Sequence, residues 1–173
     1  MQNLWFFYQL KLICFIIGLV DVDLRCITMN DFTHEINHKK SLIKHQDCFS
    51  DLRDSEIDIL STLLVKQKIP KGTTIVEEGD RVDGFYLIAK GSAEVLSHSK
   101  VIATLTAENY DAIGLNETGF YSLSGLRTAT VVSIDDMELY YVALPLFHGF
   151  ALNYPHVNEV MRAQAEKFLN SAL

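Results

Sequence analysis

His34-Glu35-Ile36-Asn37-His38 is the run whose residue types and spacing most directly suggest chemistry. On a helix the two imidazoles stand one turn apart on a common face, able to grip zinc, and Glu35 could then activate a metal-bound water. The surroundings argue against that use. Asn37, Lys39, Lys40 and Lys44 make the stretch polar, little sequence precedes it to build a dry cleft, and no third ligand is tied to it. A solvated linker helix is the expectation, without metal. His98, His148 and His156 are scattered at turns or helix ends rather than clustered on strands, and neither a Ser-His-Asp signature nor a P-loop occurs. The chain is therefore expected not to be an enzyme and to carry no cofactor.

The 173 residues suffice for one domain of ordinary size plus extra sequence. With 22 acidic against 15 basic residues the net charge is −7, which repels phosphate backbones, so nucleic acid is not an expected partner. A small anion needs only local positive potential. Cys14, Cys26 and Cys48 are odd in number and form no paired spacing, which favours a reducing, cytoplasmic setting.

Three segments organise the chain: an apolar stretch over 1–28, a polar lead-in over 29–47, and a domain over 48–173. Residues 1–20 are mostly apolar, but Lys11 divides them into runs shorter than the roughly 20 residues that span a bilayer. Met29 as the real start is the favoured account of this segment; membrane association of residues 1–20 and a packed helix are the alternatives.

In the domain, Asp54 to Lys66 reads as an amphipathic helix. Ser55 and Asp58 form a capping-box pattern, and Ile59, Leu60, Leu63 and Leu64 make one apolar face. After Pro70-Lys71-Gly72 the texture changes to short strands with turn punctuation. These run over Thr73–Val76, Phe85–Ala89, Ala93–Leu96, Val101–Leu105, Thr128–Ser133 and Glu138–Val142. Helix returns at Leu144–Asn153 and again from His156, where Val157, Val160, Met161, Phe168 and Leu169 recur at helical spacing. The expected fold class is mainly β with flanking helices, a jelly-roll barrel.

The stretch Ile69-Pro70-Lys71-Gly72-Thr73-Thr74-Ile75-Val76-Glu77-Glu78-Gly79-Asp80, continued by Asp83-Gly84-Phe85-Tyr86-Leu87-Ile88-Ala89-Lys90-Gly91, resembles the cyclic-nucleotide-binding domain family. The likeness runs from about Cys48 to Pro155. It implies a double-stranded β-helix that senses cAMP or cGMP, or a related anion, and signals through its C-terminal helix to an effector protein or a homodimer partner. It also implies a phosphate-binding cassette, in which a Gly-Glu pair opens a short helix and an Arg before a small residue and Ala-Thr-Val pairs with the phosphate. Leu126-Arg127-Thr128-Ala129-Thr130-Val131 matches the second half, and a guanidinium offers phosphate a charged fork of donors. The first half departs: Gly114 is followed by Leu115 where the family has Glu, and the segment up to Arg127 is two or three residues longer than usual. Glu117 stands nearby as a substitute for the ribose-binding carboxylate. The resemblance thus nominates Gly114, Leu115, Glu117, Arg127, Thr128 and Ala129 as ligand-binding. A degenerate module acting as an interaction or dimerisation scaffold without nucleotide is the alternative. Family members usually carry a further helix or an effector domain; with room for one helix after Pro155, this chain is not expected to be a DNA-binding regulator by itself.

Overall fold

Strands this short cannot bury a face alone and must stack against another layer. The computed structural model describes residues 29–115, 125–160 and 162–163. Two compact units divide the chain, Met1–Thr33 and His34–Leu173. Of the first, residues 29–33 are described, as helix; the apolar segment 1–28, with Cys14 and Cys26, lies outside the described residues.

Helix α1 (Met29–Lys44), a 3-10 turn (Asp47–Phe49) and α2 (Asp54–Leu63) precede the strands. These are β1 (Val65–Ile69), β2 (Thr74–Val76), β3 (Gly84–Lys90), β4 (Ser92–Ser97), β5 (Lys100–Thr106), β6 (Ala112–Ile113), β7 (Thr130–Ser133) and β8 (Met137–Ala143). Helix α3 (Leu144–Asn153) follows, and residues 155–160 are again helical. The strands form two four-stranded antiparallel sheets, ordered β1-β8-β3-β6 and β2-β7-β4-β5. This is the expected jelly roll with flanking helices.

Strand alternation sorts the core into two parts. Tyr86 and Ile88 of β3, with Met137 and Leu139 of β8, meet Ala93 and Val131 of the other sheet and close the space between the sheets. Phe85, Leu87, Tyr140 and Val142 point the other way, toward Leu42, Phe49, Leu60, Phe147 and Val157 of the helical layer. Phe49, Phe85 and Phe147 form its centre, with ring centroids 5.2–6.2 Å apart. Each such ring, fully buried, contributes on the order of 2–3 kcal/mol.

Three local expectations for the helix before the strands are corrected. Helix α2 stops at Leu63, because Val65–Ile69 pairs with β8 in the register Lys66↔Tyr140 and Lys68↔Glu138. Its N-cap is Arg53, whose backbone N–H donates to Glu56 Oε2 at 2.9 Å, so Ser55 and Asp58 do not cap it. The buried face runs through Glu56, Ile57 and Leu60, leaving Ile59 exposed.

The His34–His38 helix is not a solvated linker throughout. His38 is half-buried and meets Tyr140 edge-on at 5.9 Å, and burial lowers its pKa, as does the neighbouring His34. Lys39 Nζ lies 5.2 Å from the Tyr140 ring centre and 2.9 Å from Glu35 Oε1. Leu42 and Ile43 join the helix-side core, so the packed unit starts upstream of Cys48. Among the described residues, no group of three or more His, Cys, Asp or Glu side chains could hold a metal. Cys48 is buried, which pushes its thiol up to about 12.

Candidate anion-binding site

Residues 125–127 run beside 79–82. Val82 N–H donates to Gly125 O and Gly79 N–H to Arg127 O, both at 2.9 Å, while Arg127 N–H donates to Asp80 O at 2.7 Å. Arg81 and Leu126 form an isolated bridge in the same ladder. These bonds fix the backbone of Arg127 and send its side chain inward, where the residue is 3 % exposed. Nη2 donates to Asp83 Oδ1 and to Gly84 O, each at 2.7 Å. Gly114, at φ +72°, lies so close that a Cβ there would collide with Nη1.

Asp83 is the hub of the site. Its carboxylate is largely exposed, and its backbone carbonyl accepts from Leu144 N–H, the first residue of α3, at 2.7 Å. The Tyr141 hydroxyl also reaches it, 3.1 Å from the backbone oxygen and 3.2 Å from Oδ2. Tyr141 packs on Tyr86 with ring centroids 4.8 Å apart. Burial, then the charge of Asp83, pushes the Tyr141 phenol up to about 12, and the same two causes raise that of Tyr86. The arrangement is a buried cation whose Nη2 is oriented by a carboxylate and a carbonyl, and a guanidinium so placed has the chemistry to pair with a compact anion.

Of the six nominated residues, Gly114 and Arg127 are in mutual contact. Leu115 is 5 % exposed and lies in the helix-side core with Phe85 and Phe147, and as an alkyl chain it offers nothing to a ribose hydroxyl. Glu117 lies outside the described residues. Thr128 is exposed and Ala129 half-buried, and the next residue, Thr130, accepts Glu78 N–H on its Oγ1 at 3.0 Å. Asp83, Tyr86 and Tyr141 were not nominated. Asp83 stands 44 residues from Arg127 in sequence, and only the pairing of β3 with β8 brings Tyr141 to it.

With this geometry in place, comparison with known proteins gives the class. The family model "Cyclic nucleotide-binding domain" matches residues 66–154, half of the chain. The chain belongs to the cyclic nucleotide-binding domain family. It is 29% identical over 121 residues to a cGMP-dependent protein kinase of Plasmodium berghei, covering 68% of this chain and 13% of that protein. It is 31% identical over 99 residues to a cAMP-dependent protein kinase regulatory subunit of Yarrowia lipolytica, covering 56% of this chain and 26% of that one. The chain therefore spans about a quarter or less of the length of these relatives.

Among solved structures, the regulatory domain of Toxoplasma gondii PKA crystallised with cAMP is similar at TM-score 0.61 and 18% identity, over 68% of this chain and 44% of that one. The N-terminal domain of a transcriptional regulator from Streptomyces coelicolor is similar at TM-score 0.63 and 18% identity, over 76% and 92%. Identities this low carry the fold alone. Among the described residues no helix is long and apolar enough to cross a membrane.

Proposed function

We propose that this chain is a cytoplasmic sensor module rather than a catalyst, binding cAMP, cGMP or a related anion at Arg127 and passing the change to an effector protein through its C-terminal helices. One observation carries the reading: within the matched span, a buried guanidinium is held in a fixed orientation by Asp83 and Gly84 and seated against Gly114. An apolar residue of similar size would often pack as well as a buried ion pair, which favours a use for this charge beyond stability. The route outward is short, because the Asp83 that holds Arg127 also accepts the first N–H of α3. A ligand that changes how Arg127 and Asp83 share charge therefore acts on the start of the helical layer, a shift between two packings.

Calorimetry with cAMP, cGMP and cyclic dinucleotides tests this. A Kd of about micromolar or tighter is expected for one of them, with Arg127→Ala weakening it more than about a hundredfold. Arg127→Lys, which keeps the charge but loses the fork, is expected to fall between the two. Flat isotherms for the folded wild type would overturn the ligand claim.

A second reading, a scaffold that binds protein and no nucleotide, draws on Leu115. The residue in the place of the expected ribose-binding carboxylate is committed to the helix-side core. Flat isotherms together with a concentration-dependent dimer in sedimentation would favour it.

A further inference from the structure

A guanidinium recognises an anion only in one orientation, and arginine carries its fork at the end of a long rotatable stem. The backbone ladder at 79–82 anchors the main chain of Arg127 but not that fork. Two acceptors among the described residues orient Nη2, Asp83 Oδ1 and Gly84 O. Gly84 O belongs to β3 and is fixed by the strand; the Asp83 carboxylate is 59 % exposed and sits one residue before β3, where rotation about its own side chain would turn it to water.

Tyr141 is the group placed to restrain it. Its hydroxyl shares one proton between Asp83 O and Asp83 Oδ2, at 3.1 and 3.2 Å. The ring delivering that hydroxyl has little freedom of its own. Tyr86 covers one side at 4.8 Å, and the bare Cα of Gly84 lets it lie across β3, since a Cβ at that position would meet Tyr141 Cε2 at 2.7 Å. The phenol, pushed up to about 12, keeps its proton and remains a donor throughout the physiological range.

We propose that Tyr141 is a positioning residue of the anion site: its hydroxyl holds the Asp83 carboxylate, and Asp83 in turn holds the Arg127 fork. Affinity then depends on a β8 hydroxyl that lies outside the cassette. The ligand consequence rests on the reading of Arg127 given above; the positioning itself does not.

Tyr141→Phe removes the hydroxyl and keeps the ring on Tyr86. It is expected to weaken cyclic-nucleotide binding about fivefold, the scale of one hydrogen bond to a charged group shared between two acceptors. The double-mutant cycle separates positioning from a general structural role. In an Asp83→Ala background, which has no side-chain acceptor, Tyr141→Phe is expected to change Kd by less than about twofold, because the link it acts through is already broken. Additive losses would overturn the proposal, and so would an unchanged Kd in Tyr141→Phe alone.

A second readout needs no ligand. In nitrogen-15 spectra of the ligand-free wild type, the Arg127 Nη signals are expected to be separately resolved, reflecting a pinned fork. In Tyr141→Phe, and in Asp83→Ala should the first variant not fold, they are expected to average. Arg127 signals that stay resolved in the variant overturn the proposal whatever the isotherms show. Flat wild-type isotherms beside averaged variant signals overturn the ligand reading alone.

Discussion

At Gly114 two constraints coincide: φ is +72°, and a Cβ would overlap Nη1 of Arg127. The left-handed conformation alone costs an L side chain about 1 kcal/mol, and displacing a buried cation from its acceptors adds a comparable loss or more. Gly114→Ala is therefore expected to lower unfolding free energy by about 2 kcal/mol or more and to weaken anion binding with it. Urea denaturation checks the first part; an unchanged midpoint would mean that the fork has another seat available. Arg127 and Gly114 were nominated through the resemblance to the family's cassette, carried by an arginine before Thr-Ala-Thr-Val and a glycine upstream of it, and the structure sets the two in contact. Leu115 was legible only as a departure. Ile113 faces the space between the sheets while Leu115 joins the helix-side core, with Gly114 turning the chain between them, and no periodicity in so short a segment shows that turn.

Among the elements, the β4–β5 hairpin closes under strain. Ser97 pairs with Lys100, leaving the two-residue loop His98-Ser99 with φ of 49° and 64°. Positive φ at both central positions is the type I′ signature, which glycine and asparagine adopt most readily. Here Glu78 supplies compensation from the next turn, its Oε2 accepting His98 N–H at 3.0 Å. Ser99→Gly is expected to raise stability by about 0.5–1 kcal/mol, since relief of left-handed strain outweighs the added freedom of the unfolded chain. Thermal unfolding reads this, and a lower melting temperature would show that the loop is not strained at Ser99. Hairpins and turn glycines were the readable elements. Strand β1 was missed because its outward residues are Lys66 and Lys68, stabilised by Glu138 across the strand pair rather than by burial. Such an edge strand shows no apolar alternation and is easily taken for the tail of the preceding helix.

Across the whole molecule, β3 and β8 serve both parts of the core, one face of each turned to the helical layer and the other to the space between the sheets. One polar contact ties the layer together over 100 residues of sequence: His156 lies with Nε2 3.0 Å from Glu56 Oε2, joining the helix over 155–160 to α2. Glu56 is almost wholly buried, and hydrogen bonds from the Arg53 guanidinium, resisted by burial and aided by the Arg53 backbone and His156, hold its carboxyl down at about 2. In the unfolded chain the group returns toward its usual 4.5. The unfolded state therefore binds the proton first, and the stabilisation this carboxylate provides is complete above about pH 4.5 and is lost as pH falls toward 2. Glu56→Gln is expected to be less stable at neutral pH, because the amide cannot replace a charged partner for Arg53 and His156. It is also expected to show a shallower decline in stability between pH 4.5 and 2 than wild type, by the slope of one proton. Urea midpoints collected across that range read the slope, and parallel declines would mean that other carboxylates carry the acid sensitivity. If the tie also governs where the C-terminal helix rests, amide exchange at 155–160 should quicken in Glu56→Gln at neutral pH while β3 and β8 stay protected. Equal quickening in the strands would instead mark a global loss of stability, and the helix would then have no separate motion through which a signal could leave the barrel.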